Sequence, residues 1–239
     1  MGLYQMDLTR FLQVYVAQGS VAIFFLILAY LILKRGKQRL NVILSGSYIT
    51  IAVGLFINFI YAPMQHPQLE LIVLILYYLT IFFIFLYTAF LLCFVLILLK
   101  SEKIITTSKQ IIIILVYAVI LSCMVFIPKG VVINASTEWK PVWSWFYFSY
   151  VIAVVTIGFL TSFYFAFKIY KLFEDELLQK KWRYFLIGLI GLYIFATGTL
   201  LSNTLNIQAI RNIWSIISFA LVIISPYSIY KGVGKQIGD

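Results

Sequence analysis

Seven runs of apolar residues, parted by short polar connections, pattern this chain from end to end. They are Phe11 to Leu33, Leu40 to Tyr61, Leu69 to Leu99, Gln110 to Ile127, Trp143 to Leu172, Arg183 to Leu205 and Ile210 to Tyr230. Each is close to or above the roughly 20 residues that a helix needs to cross about 30 Å of hydrocarbon. A helix also satisfies its backbone N–H and C=O groups from within one segment, which hydrocarbon demands. The pattern therefore predicts an all-α membrane protein, a seven-transmembrane helix bundle forming a single domain over residues 1–239. Composition agrees, because the chain is 63% hydrophobic and only 11% charged, whereas about a quarter of a soluble domain is charged. Spans and loops consume the length, so no appended globular domain is expected. The first residues lack the basic stretch of a cleavable signal peptide, and the first span is expected to stay in the mature protein. Met6 stands where an N-myristoylation motif requires Ser or Thr.

Charge gives the bundle a direction. The connections after spans one, three and five, with the C-terminus, hold Lys34, Arg35, Lys37, Arg39, Lys100, Lys103, Lys109, Lys168, Lys171, Lys180, Lys181, Arg183, Lys231 and Lys235. The other side holds Arg10, Lys129, Lys140 and Arg211. By the positive-inside rule the N-terminus is outside and the C-terminus cytoplasmic. Most of the net charge of +10 thus belongs to the inner surface. Anionic lipid headgroups account for it, at about 1 kcal/mol per basic residue near the surface, without nucleic acid. A cytoplasmic protein docking on the same face is compatible with this, and so is a homo-oligomer.

Polar positions inside the spans mark where helices face one another. Gln13 and Gln18 interrupt the outer part of span one. Span two carries Ser45, Ser47, Thr50 and Asn58 with Gly46 and Gly54, residues that permit close approach and hydrogen bonds between helices in lipid. Span three has Tyr77, Tyr78, Thr80, Tyr87 and Thr88, and its run is long enough that it must tilt or protrude. Span four has few polar residues and reads as largely lipid-facing. Span seven holds Ser225 and Pro226, where a local bend is expected. Cys93 and Cys123 lie within spans and read as buried apolar residues.

The longest outer connection lies between Pro128 and Pro141 and contains Asn134-Ala-Ser136, a glycosylation acceptor pattern. Trp139, Trp143, Trp145 and Tyr147 follow, and such rings prefer the headgroup level. A lid over an outward-facing pocket is the sharper alternative. Arg211, amid Asn203, Asn206, Gln208 and Asn212, offers a guanidinium fork suited to carboxylate or phosphate. The candidate ligand-facing residues, polar or aromatic on the outer half, are Asn58, Tyr77, Tyr78, Trp145, Tyr147, Asn203, Arg211, Asn212 and Trp214. On the inner side Lys171, Glu174, Glu176, Lys180, Lys181 and Arg183 form the candidate output surface, on helical extensions into the cytoplasm.

Several chemistries find no residues to carry them. All eight Asp and Glu map to loops, helix ends or tails, which counts against proton coupling through intramembrane carboxylates. One His and two Cys supply no metal-ligand cluster. Span seven has no internal lysine for a retinal Schiff base, only Lys231 after its end, so no cofactor is expected. Ser225-Pro-Tyr-Ser-Ile-Tyr230 also departs from the N-P-x-x-Y of G-protein-coupled receptors.

Gln179-Lys-Lys-Trp-Arg-Tyr-Phe-Leu-Ile-Gly188, opening the sixth span, and Pro226-Tyr-Ser-Ile-Tyr-Lys231, leaving the seventh, resemble the seven-transmembrane sensory module of prokaryotic histidine kinases. That resemblance implies ligand sensing from outside or within the membrane, relayed to a cytoplasmic output. With only Gly232 to Asp239 remaining, the output is expected to reside in a separate protein. The rival reading is a small-solute carrier of 3+1+3 helix organisation, similar to SWEET-type sugar carriers. It rests on Gly46-x-Tyr48 with Asn58 ten residues on, repeated as Gly191-x-Tyr193 with Asn203. The expectation is a non-enzymatic, receptor-like sensor, multi-pass in the cell membrane, with the carrier as the alternative.

Overall fold

The computed structural model describes residues 8–234; Asp7, Lys235 and Asp239, which entered the charge distribution, lie outside them. Seven helices are long and apolar enough to cross a membrane: α1 (Leu12–Leu33), α2 (Arg39–Tyr61), α3 (Pro67–Lys100), α4 (Thr107–Phe126), α5 (Trp145–Leu172), α6 (Glu176–Leu205) and α7 (Gln208–Val233). The chain is an integral membrane protein with an all-α seven-helix bundle. A two-residue hairpin, β1 (Val131–Val132) and β2 (Val142–Trp143), is the one sheet among the described residues.

Helix ends sit where capping chemistry puts them. The Thr106 hydroxyl accepts the Lys109 N–H, and Ser144 accepts that of Tyr147 at 3.2 Å, starting α4 and α5. Asp175 Oδ1 accepts from Leu177 and Leu178 at 2.6 and 3.1 Å. That cap, with Gln179 Nε2 donating to Phe173 O at 2.7 Å, starts α6 at Glu176 rather than at Arg183. The helical extension expected there is present. At the other margins α5 begins after Trp143, because Val142 and Trp143 are taken by the hairpin. α4 narrows into a 3-10 turn, Cys123–Phe126, before Pro128. Asn206, left-handed at φ 51°, closes α6, a conformation asparagine tolerates.

α3 packs against α2, α4 and α5, α6 packs against α5 and α7, and α1 touches both α2 and α7, closing the ring. α3 is the central helix, with 61% of its most apolar stretch buried, against 17% for α4. The lipid-facing reading of span four therefore matches its peripheral place. α2 approaches α3 closely at Gly54, where a Cβ would stand 2.9 Å from Thr80 O. α6 meets α7 the same way at Gly188, 2.6 Å from Ser225 O.

The polar residues of span two divide their work. Ser45 Oγ donates across to Ala29 O of α1 at 3.2 Å, and Asn58 pairs with Gln18. Ser47 and Thr50 instead bond carbonyls of their own helix, at Leu44 and Ser47. Gln18 ends a π-helical stretch, Leu12–Gln18, so the glutamines that interrupt span one occupy its wide turn. Pro226 is buried and the helix runs on to Ile229, with Tyr48 OH donating to Pro226 O at 2.9 Å. A second π-helical turn, Tyr230–Gly234, follows. One cysteine is a correction: Cys93 is buried, but Cys123 is exposed on α4, because that helix offers little neighbouring protein to cover it.

Candidate functional site

One end of the bundle carries the hairpin connection from Pro128 to Ser144, and this segment is folded inward. Val131 pairs with Trp143 and Val132 with Val142. Ser144 N donates to Gly130 O at 2.9 Å, and a Cβ on Gly130 would meet Tyr147 Cδ2 at 2.8 Å. Between the strands Asn134 Oδ1 accepts the Ser136 N–H at 3.0 Å, so the acceptor asparagine also serves as the cap of a short 3-10 turn. Lys129, Glu138 and Trp139 hold left-handed backbone, with φ of 53°, 52° and 57°. Such conformations persist only when the surrounding structure over-determines them.

Glu138 N and Trp139 N are held by Ala135 O and Asn134 O, and an aromatic stack reaches from the hairpin into the bundle. Trp143 Nε1 donates to Tyr77 OH at 2.6 Å, and the indole stands edge-on to Tyr147 at 4.6 Å. Tyr147 OH donates to Met124 Sδ at 3.3 Å, Tyr78 lies 5.9 Å from Tyr147, and Tyr61 meets Tyr77 at 6.1 Å. Three of the four expected belt aromatics, Trp139, Trp143 and Tyr147, are buried, while Trp145 is 58% exposed. The belt expectation is corrected to a plug: the rings fill the bundle mouth, where they bury more apolar area than a headgroup position would.

Two arginines, one just before α1 and one on the neighbouring α7, fasten the plug. Arg211 Nη2, on α7, donates to Pro141 O at 2.7 Å. Arg10 Nη1, just before α1, donates to Glu138 O at 3.3 Å. Partial burial pulls the Arg10 guanidinium below its ordinary value, opposed by Tyr61 nearby. Arg211 is half-buried, its Nε has no hydrogen-bond partner, and Tyr77 is an electrostatic neighbour. A buried, unsatisfied donor is a group for which a ligand acceptor would remove a cost of about 1–3 kcal/mol. At the exposed rim Lys140 and Glu138 form an ion pair at 2.6 Å, and the ammonium holds the Glu138 carboxyl below the usual carboxylate range.

The ligand-facing candidates are thus partly united. Tyr77, Tyr78, Tyr147 and Arg211 gather at the plug. Asn58 belongs to the α1–α2 contact with Gln18. Trp214 bonds Thr199 Oγ1 at 3.0 Å and covers Gly198 on the α6–α7 seam. Asn212 is exposed and accepts from Gln208 at 2.8 Å, Asn203 is half-buried, and Trp145 faces outward against Phe148. Sequence reasoning missed Arg10, Tyr61 and Pro141. The pairing of Arg10 with a carbonyl 128 residues away has no local signal.

The opposite, basic end is built differently. Arg35 lies over the Tyr230 ring at 5.4 Å, Lys231 over Tyr184 at 4.4 Å, Lys171 over Phe167 at 4.9 Å and Arg183 over Tyr170 at 5.8 Å. Such cation–π contacts hold charged heads at the edge of the apolar body. Lys180, Glu174 and Glu176 are exposed, while Lys181 is half-buried. Lys181 borders a crevice of about 140 Å³ with Leu98, Phe173, Leu178, Trp182 and Val233. In the middle of the bundle, by contrast, a void beside Tyr87, Thr88 and Ser162 measures about 10 Å³, room for at most a water-sized guest. Compared with protein-family models, curated proteins and solved structures, the chain matches none.

Proposed function

We propose that this chain is a non-enzymatic sensor of the cell membrane, with the hairpin end outside and the basic end in the cytoplasm. It takes up a small ligand at the plug and relays its presence to a separate cytoplasmic protein. The observation that carries this reading is the plug's attachment to four helices at once: Arg10 ahead of α1, Tyr77 on α3, Tyr147 on α5 and Arg211 on α7. Displacing the hairpin therefore disturbs helices that end at the basic face, among them α7, whose final π turn borders the crevice. Wide turns of this kind recur at functional sites. The ligand class that fits is a small apolar or aromatic body with one acceptor group. The body would replace Trp143 among Tyr77, Tyr78 and Tyr147, and the acceptor would take the Pro141 position on Arg211.

The carrier reading has one supporting observation. Gly46 and Gly191 each lie under the helix that follows, at Phe90 and Ser225, and Tyr48 and Tyr193 each meet a ring of the helix before, Phe25 at 5.8 Å and Phe159 at 4.2 Å. This is the correspondence that a 3+1+3 repeat requires. The water-sized central void favours the sensor.

The test uses full-length protein in proteoliposomes, with Cys93 and Cys123 replaced by alanine and an environment-sensitive dye on a cysteine at position 178. Loosening the plug with Arg211→Ala and Trp143→Phe shifts the dye emission at the far end while the vesicles stay tight to small neutral solutes. Unchanged emission removes the relay, and saturable solute uptake replaces the sensor by a carrier.

A further inference from the structure

We infer that the crevice at the basic end is a docking site for an acidic segment of a cytoplasmic protein, which inserts a single apolar side chain. This rests on the sensor reading with its separate output protein, and it names the chemistry of that output contact. The crevice is lined by Leu98, near the end of the central helix α3, by Phe173 and Leu178 from the α5–α6 corner, by Trp182 of α6, and by Val233 in the last turn of α7. Its volume of about 140 Å³ suits one leucine- or phenylalanine-sized side chain rather than the two chains of a phospholipid.

Charge selects the partner. Lys181 is the charged residue that lines the crevice, Lys180 precedes it in the chain and is exposed, and Lys231, which precedes the lining residue Gly232, lies over the Tyr184 ring. Glu174 and Glu176 share the corner, yet among the described residues neither forms an ion pair with these lysines. Asp175 is engaged as the cap of α6. A segment bringing carboxylates on either side of an apolar anchor meets both features together, the anchor supplying the affinity and the charges the orientation.

The position of this site connects it to the plug. Gly232 lies so close to α6 that a Cβ there would meet Phe185 N at 2.7 Å and Lys181 O at 2.8 Å. Any movement of the end of α7 along α6 therefore reshapes the crevice, because no slack separates the two backbones. Tyr48, through Pro226 O, ties the same stretch of α7 to α2. Docking would thus report the position of α7.

The experiment uses the full-length protein in nanodiscs of zwitterionic lipid. Its probe is a short fluorescent peptide with one phenylalanine among glutamates, beside the same peptide carrying alanine in that place. The phenylalanine peptide binds about tenfold or more tightly than the alanine one, the loss expected for an anchor worth about 1.5–3 kcal/mol. Leu178→Trp, which fills the crevice from its 37% exposed lining residue, removes that difference, and Lys181→Glu weakens both peptides. Equal binding of the two peptides overturns the site on the unmodified protein, whatever the variants do. Peptide binding abolished by anionic lipid cross-linked at position 178, or a dimer that Leu178→Trp converts to monomer, assigns the crevice to lipid or to a second copy and also overturns it. Should the peptides behave as expected but be indifferent to loosening of the plug, the docking site stands and the sensor reading falls. Should the plug still alter the dye while the peptides bind equally, only the docking site is lost.

Discussion

Trp143 concentrates the hairpin's attachment in one side chain, since its indole both donates to Tyr77 and packs edge-on against Tyr147. Trp143→Phe keeps most of the packing and deletes the donor, so it should cost about 1–3 kcal/mol of stability in micelles. Tyr77→Phe should cost a similar amount. The double variant should lose less than the two together, because both remove one shared bond. Glu138 gives a second residue-scale expectation. Lys140 lowers its carboxyl, so the contact is fully present above the free-glutamate value of about 4.3 and is lost as pH falls through the lowered one. Carboxyl ¹³C shifts should place the Glu138 midpoint below that of a free glutamate, and high salt should move it back toward it, as for an exposed pair.

At the scale of elements, the close helix contacts run through small residues. A Cβ at Gly188 would lie 2.6 Å from Ser225 O and 3.0 Å from Ile229 N, both backbone atoms that cannot rotate away. Gly188→Ala should therefore separate α6 from α7 and destabilise the protein by about 1–3 kcal/mol, read from unfolding in detergent. The spans themselves were legible from hydrophobic run length, and their ends agree to within a few residues except at α6. There the apolar run begins at Arg183, because charge dominates the stretch before it despite Leu177, Leu178 and Trp182; the helical extension expected on that stretch starts at the Asp175 cap. The site was less legible. Tyr77, Tyr78, Tyr147 and Arg211 could be picked out by polarity within the outer half, but the inward turn of Trp143 could not. It depends on a two-residue strand pairing and three left-handed residues that no periodicity announces. The basic-end crevice was invisible for a related reason: Leu98, Phe173, Trp182 and Val233 come from separate stretches of chain, and only Leu98 lies inside a predicted span.

For the whole molecule, the separation of plug and basic face is the property on which the proposed relay depends. Ser136 is exposed at the hairpin end and Leu178 at the basic end. A cysteine at 136 should react with an impermeant thiol reagent on intact cells, whereas one at 178 should react only after permeabilisation. Labelling of both from outside would reverse the assignment of the two ends and remove the sensor proposal with it. The peripheral place of α4 has a consequence of another kind. Ile112, Leu115 and Val119 are each more than half exposed on that helix, and hydrocarbon around them would not distinguish one aliphatic side chain from another. Shuffling them among Ile, Leu and Val should leave folded yield unchanged. Evolutionary drift would then be fastest along this strip and slowest on α3, so distant kin of this chain would be found by aligning the buried helix and disregarding the outermost one.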